Sequence, residues 1–534
     1  MLSRIALAPS TLLLIGAIWI AGRASEALQN IGIDFVQFWI AANHVDREAS
    51  TSVYSVGGRD VILESAWRRI EAEEKPSRFL EAATFRHERS LETYSSPFLY
   101  SAFAAFANAV HFGSACPNQE TDTRHIGAGS ADSLQSKLQH SVSCEYETAL
   151  QWFWMLCLCS SAFAFIVFGM ATRSLCSSML FGAAMLVWFN PLRSDINVGN
   201  VNQLQFGMLG VLVAILCWTY GRSALKRNRF SFRDAAAAFW FTVCLAFKPT
   251  LLWCGIMFLA PTIIRLLTPL YRQLSGHRQV TNFLAQSTVQ TNHHVSLAED
   301  YRRLVSIIVG SSLGAAVAIG LSLIWFPLHS WVDWVDAVRT MPDEFILTAI
   351  GNHSPTYLLR YSLDLPTWIM MLIPIILACV VLGTSRTLWM PSIRGYQDSA
   401  QSDAIADTDG NPIAKSTVEN DIRLIAIGCQ IALLTAHLVW FHYFVLSLPA
   451  FLLLLPQVTQ RGLTIRHRIQ TGLALFVCLF LIGVQPFDRF MHPAVTEHVI
   501  QTAVANAILL VMLAWNWPES RVEALSGNVV PDER

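Results

Sequence analysis

Residues 234–266 read DAAAAFWFTVCLAFKPTLLWCGIMFLAPTIIRL. Two apolar runs, 234–247 and 250–266, meet at Lys248-Pro249. Taken as one broken helix, the stretch would carry an ammonium and a helix-breaking proline at its centre. A lysine at mid-bilayer costs roughly 2.5–3.5 kcal/mol, and proline removes a backbone donor and clashes with the preceding turn. Taken as two helices, Lys248-Pro249 becomes a short connection at a membrane surface, where both residues are tolerated. The second reading is adopted, and it predicts a membrane-spanning helical fold.

The remainder of the chain agrees in composition. Of 534 residues, 53% are hydrophobic and only 14% charged, against roughly a quarter charged in soluble domains. Further apolar runs occupy 5–22, 149–171, 175–190, 203–220, 304–326, 366–383, 422–438, 441–456, 469–485 and 499–516. Several fall short of the roughly 20 residues of a perpendicular span, so their boundaries are loose. The expected fold class is an all-α polytopic membrane protein of about twelve transmembrane helices, a single domain over 1–534. The net charge of −1 offers no electrostatic footprint for nucleic acid, and none is expected as a partner.

Orientation follows from Lys and Arg in the short loops. Arg222, Lys226, Arg227, Arg229 and Arg233 fill one loop, and Arg461, Arg466 and Arg468 another. Arg265, Arg272, Arg302 and Arg303 flank 267–303. Alternate loops hold only Arg193, Lys248 and Arg489. Basic loops face the cytoplasm, which places 23–148 and 327–365 outside and makes 384–421 a partly disordered cytoplasmic loop. Within 23–148, Ile62–Phe85 reads as a charged helical stretch. Pro97–Phe112 reads as an interfacial helix with Phe103, Phe106 and Val110 on one face and Ser101, Asn108 and His111 on the other. The N-terminus reads as an uncleaved anchor, with a signal peptide as the alternative. Nine cysteines fall in apolar runs as packing residues, whereas Cys116 and Cys144 share the external loop, where a disulfide is plausible.

On this topology five polar clusters reach the external face: Asp34, Gly199-Asn-Val-Asn-Gln203, Lys248-Pro249, Gly351-Asn-His-Ser354 with Arg360, and His442-Tyr443. They lie in DFVQFWIAA (34–42), YSSP (94–97), NPLRSDINVGNVNQLQFG (190–207), KPTLLW (248–253), GNHSPTYLLR (351–360) and HYFVLSLPAFLLL (442–454), with Val53-Tyr54 following the first. In order, spacing and sidedness these segments resemble the polyprenyl-phosphate-dependent glycosyltransferases of family 87, in the GT-C superfamily, over roughly 30–455. The chain departs from the family pattern at Asn200, where a glutamine is usual, at His353, again for glutamine, and at Ser96, for proline. These departures bear on donor identity more than on fold.

The resemblance implies transfer of a hexose, mannose by family, from a polyprenyl-phosphate donor to a lipid-linked or glycan acceptor, with inversion. A sugar phosphate already has a good leaving group, so the chemistry asks for one base to take the acceptor proton. Asp34 is the expected base, beside Phe35, Phe38 and Trp39, whose rings could stack on sugars; capping of helix 34–44 is the bland alternative. His353 is a candidate accessory base. Lys248, Arg360 and His442 are candidates for the donor phosphate, against snorkelling or anchoring roles. Asn200, Asn202, Gln203, Asn352 and Tyr443 are candidates for sugar or acceptor, against capping and interhelical bonding. Asp333, Asp336, Asp343 and Glu344 read as parts of a surface segment. No cofactor is expected, and a divalent metal is left open. The donor tail would enter between helices, with 203–220 lining a groove. Membrane lipids complete the expected partners, and the expected location is a bacterial inner membrane with the site outside. Competing readings are a transferase using another polyprenyl-phosphate sugar, such as arabinose or glucose, a non-catalytic sugar-lipid binder, and a secondary transporter. The transporter is disfavoured by charges gathered at one surface and the lack of a visible repeat.

Overall fold

Lys248 takes an extended conformation, φ −154° and ψ 121°, between two helices. Its break follows from Pro249, which disfavours helical backbone in the residue before it. The computed structural model describes residues 2–27, 32–45, 53–72, 77–85, 91, 94–113, 142–218, 231–274, 286–341, 352–385, 412–459, 463–483 and 495–515. Cys116, Gly351, Asp343, Glu344 and most of 384–421 lie outside what is described, and the Cys116–Cys144 pairing with them.

The described elements are helical, with no strand among them. They are α1 (Leu2–Ala27), α2 (Ile33–Val45), α3 (Val56–Glu71), α4 (Arg78–Phe85), α5 (Pro97–Gly113), α6 (Val142–Ala171), α7 (Leu175–Trp188), α8 (Asn190–Val198) and α9 (Asn202–Trp218). Then come α10 (Phe232–Phe247), a 3₁₀ turn at Pro249–Leu251, α11 (Leu252–Leu274), α12 (Gln286–Ser322), α13 (Ser330–Arg339), α14 (Pro355–Leu363) and α15 (Thr367–Thr384). The chain continues through α16 (Pro412–Thr435), a 3₁₀ segment at Phe441–Ser447, α17 (Leu448–Thr459), α18 (Ile465–Gly483) and α19 (Val495–Ala514). Six of the described helical segments are long and apolar enough to cross a membrane, or seven if α7 and α8, bent by 56°, count as one broken span. This is the architecture of an all-α membrane protein.

Close packing of α12 against α10 depends on small residues. Gly310 and Gly314 on α12 lie one turn apart and face α10, where an added Cβ would sit 2.1 Å from the Ala235 carbonyl oxygen and 2.5 Å from that of Phe239. Such Gly-xxx-Gly spacing lets two backbones approach inside a membrane, where van der Waals contact replaces the hydrophobic drive. Gly310→Val should force the helices apart and lower stability by about 1–3 kcal/mol. A fall in the thermal midpoint of the purified protein checks this, and an unchanged midpoint would mean that the α10–α12 contact yields freely.

Opposite ends of α10 carry two different polar assemblies. At its start, Arg233 and Arg303 bind Asp234 and Asp421 in a buried ionic clasp joining α10, α12 and α16. Arg265 and Asp300 pair nearby at 2.8 Å. Lys248 closes the other end, after a helix of 16 residues or roughly 24 Å. Residues from the basic loops thus gather at one end, away from Lys248.

Two expectations change. Ile62–Phe85 is not one helix, since α3 ends at Glu71 and α4 begins at Arg78. On α5, Ser101 is buried with Leu99, Tyr100, Phe103 and Ala104, because its hydroxyl returns to the Pro97 carbonyl at 2.8 Å and needs no water. Helix α9 turns one face into the bundle. Phe206, Leu209, Leu212, Val213 and Leu216 are buried, and Gly207 meets Ser160 on α6.

Candidate functional site

Two glycines bring the first site segment to the second. Gly199 ends α8 in the left-handed conformation, φ 72°, and an added Cβ there would lie 2.5 Å from the Phe35 Cβ. Gly32, at φ 67°, donates its N–H to the Asn197 carbonyl at 3.2 Å. Both positions combine positive φ with close backbone approach, which glycine alone meets without strain. The first turn of α2 is thereby set against the 199–202 turn, with Asp34 facing Asn200.

From there a continuous polar chain runs across the bundle. The Asn200 amide donates to the Asp34 carboxylate at 2.5 Å. Lys248 donates to the amide oxygens of Asn200 at 2.9 Å and Asn202 at 3.0 Å, and its ammonium lies 4.4 Å from the centre of the Tyr443 ring. The Asn202 amide donates to Asp195 Oδ1 at 2.8 Å, and the Gln203 backbone N–H to Asp195 Oδ2 at 2.9 Å. His442 completes the cluster, its Nε2 buried and 3.9 Å from Asp34 Oδ2. Four chain segments converge here, contributed by α2, the α8–α9 turn, the α10–α11 break and the 3₁₀ segment. Asp34 keeps 25% of its side chain exposed, so a ligand can reach it; Asp195, Asn202 and Gln203 are fully enclosed.

The surrounding loops hold this break in place. Ser96 caps α5 by accepting the Leu99 N–H at 3.1 Å, and its hydroxyl donates to the Ala246 carbonyl, two residues before Lys248. Gln205 donates to the Lys248 carbonyl at 3.2 Å and to Thr250 at 2.9 Å. Ser96 therefore binds the YSSP turn to the end of α10, a bond proline could not make.

Some candidates serve the frame instead. The Gln203 amide is spent on the Leu192 carbonyl and the Ser161 hydroxyl, both at 2.9 Å. Asn352 donates to the His437 carbonyl at 3.1 Å and accepts the Val439 and Ser354 N–H groups at 3.0 Å, pinning 352–354 to 437–439. His353 packs against Phe441, tilted, and Phe444, edge-on, at ring separations of 5.6 and 5.8 Å. Those two rings share one edge of a 3₁₀ segment, where side chains eclipse every third residue, and His442 projects from another. Arg360 lies on α14, which packs against α15, α16 and α19. The rings beside Asp34 are a correction: Phe35, Phe38 and Trp39 are buried, committed to a cluster with Tyr100, Phe103, Tyr146 and Phe153. Six consecutive helical residues cannot all face a cavity, and the apolar ones go to the core.

Asp195 is the residue that sequence reasoning passed over. It lies within NPLRSDINVGNVNQLQFG, just before the amides that the sequence singles out. The available signal was a carboxylate, Ser194-Asp-Ile196, in an apolar neighbourhood. Among the described residues no group of three His, Cys, Asp or Glu side chains is placed to hold a metal ion. Comparison with protein-family models, with curated proteins and with solved structures yields no match to this chain.

Proposed function

We propose that the protein is an inverting membrane glycosyltransferase of the GT-C type, taking a hexose, mannose by resemblance, from a polyprenyl-phosphate donor. The observation that carries this reading is the assembly itself. An accessible carboxylate, an ammonium and a buried imidazole, from segments more than 400 residues apart (Asp34 to His442), meet at one end of a helical bundle. A base for the acceptor hydroxyl and a cation for the departing phosphate are the two groups that transfer from a sugar phosphate requires.

In this reading Asp34 takes the acceptor proton, and Lys248 binds the phosphate with help from His442. Asn200 holds the carboxylate, and Tyr443 shields the ammonium from lipid. The acceptor is lipid-linked or a glycan, approaching between the 23–148 and 327–365 segments on the non-cytoplasmic face of a bacterial inner membrane. Attack opposite the phosphate turns a β-linked donor into an α-glycoside. The twelve apolar runs are taken as the spans.

Transfer from radiolabelled polyprenyl-phosphate-mannose in membranes containing the full chain is the direct test. Label in product supports the reading, and folded protein that transfers nothing from mannose, glucose or arabinose donors refutes it. Lys248→Gln should raise the donor KM about 10–100-fold, the weight of a charge-assisted hydrogen bond. An unchanged KM would remove Lys248 from phosphate binding.

A further inference from the structure

We propose that Asp195 is the positioning residue for Lys248, setting the direction of the hydrogen bonds that surround the ammonium. The consequence for transfer rests on the functional reading above; the positioning itself does not. An amide side chain can face a neighbour with its oxygen or with its NH₂ group, and only the oxygen suits an ammonium. At Asn202 the choice is made from behind. Asp195 accepts two donors, the Gln203 backbone N–H on Oδ2 and the Asn202 amide on Oδ1. With both Asp195 oxygens accepting, the Asn202 NH₂ points to Asp195 and its oxygen to Lys248. Asn202 also donates to the Asn200 oxygen at 3.2 Å, and the Val201 N–H does so at 2.7 Å. That leaves the Asn200 oxygen turned to Lys248 and its NH₂ turned to Asp34.

Asparagine at 195 cannot reproduce this. With its one oxygen on the Gln203 N–H, its NH₂ would oppose the Asn202 NH₂. Asn202 would then turn over and present hydrogens to the ammonium. The groups facing Lys248 are Asp34 from α2, Asp195 from α8, Asn200 and Asn202 from the α8–α9 turn, and His442 with Tyr443 from the 3₁₀ segment. Asp195 is the one whose two acceptors are both engaged by groups of the α8–α9 turn.

The test uses the full chain in lipid nanodiscs and trace acetic anhydride across a pH series, with mass spectrometry of the Lys248 peptide giving the pH of half-reaction. The chain has five lysines, so the peptide is assigned by its absence in Lys248→Arg. Asp195→Asn should lower the midpoint by about one pH unit, because the ammonium loses an acceptor and a nearby negative charge. The exchange Asp195→Asn with Asn202→Asp keeps the 195–202 hydrogen bond with its roles reversed and puts a carboxylate against Lys248. Its midpoint should equal or exceed that of the wild type. A purely structural role would instead loosen the site and move the Asp195→Asn midpoint up toward that of a solvated lysine. That result, or no shift, overturns the proposal, as does an exchanged protein titrating below wild type. Should Asp195→Asn fail to fold, the exchanged protein decides alone. If wild type transfers no sugar, the functional reading fails while the labelling result still settles the role of Asp195.

Discussion

Asp34→Asn is expected to reduce sugar transfer about 10²–10⁴-fold, the usual worth of a positioned general base, while the protein stays folded. The replacement has nearly the same shape, and its amide can still meet Asn200 if either side chain turns over. The burial of Phe35, Phe38 and Trp39 is untouched, so a stability change would be small. What is lost is the only charge at that position able to take a proton from an acceptor hydroxyl. The expected pattern is a fall in kcat with donor KM nearly unchanged, because the proposed phosphate contact lies with Lys248. Equal kcat in wild type and Asp34→Asn would remove Asp34 from catalysis, and His442, 3.9 Å away, would be the next residue to test. Transfer assays on membranes containing matched amounts of each protein give the answer.

Arg303→Met is expected to give the largest loss of stability, about 3–5 kcal/mol. Arg303 bonds Asp421 at 2.8 Å and lies 3.9 Å from Asp234, with its guanidinium 5.1 Å from the centre of the Phe258 ring. Both carboxylates are 5% exposed, and the two arginines 11% and 13%. Removing one arginine leaves two buried carboxylates sharing Arg233, and the desolvation already incurred goes uncompensated. Adding Asp421→Leu should recover much of the loss, since the remaining Arg233–Asp234 pair is balanced and methionine and leucine fill the space with apolar atoms. Thermal unfolding of the single and double variants in nanodiscs measures both. A single variant as stable as wild type would mean that water reaches the clasp. The clasp and the Asp34 cluster stand at opposite ends of α10, so the double variant should transfer sugar at close to the wild-type rate.

The two assemblies differ in how visible they were beforehand. In the sequence Arg233 and Arg303 read as loop charges that orient the chain, and they lie at the end opposite Lys248. Their pairing with Asp234 and Asp421 was invisible, because acidic residues carry little weight in orienting membrane proteins and the partners come from helices far apart in sequence. Gly310 and Gly314 were likewise unremarked, since a glycine pair in an apolar run acquires meaning only from the helix that faces it.

Hydropathy alone determined that the chain is helical and membrane-spanning, because lipid offers backbone groups no hydrogen-bonding partner and so demands long apolar helices. It also determined the break at Lys248-Pro249, a local matter of proline geometry and lysine solvation. The tertiary structure decided which polar atoms meet. Asp34 joins Asn200 across 166 positions, Ser96 reaches the end of α10 across 150, and Asp195 turns Asn202 toward Lys248. It decided too that the aromatic neighbours of Asp34 belong to the core. Hydrogen bonds between side chains are short and directional, so they depend on where helices cross and how they are rotated, and a linear pattern of apolar residues carries neither.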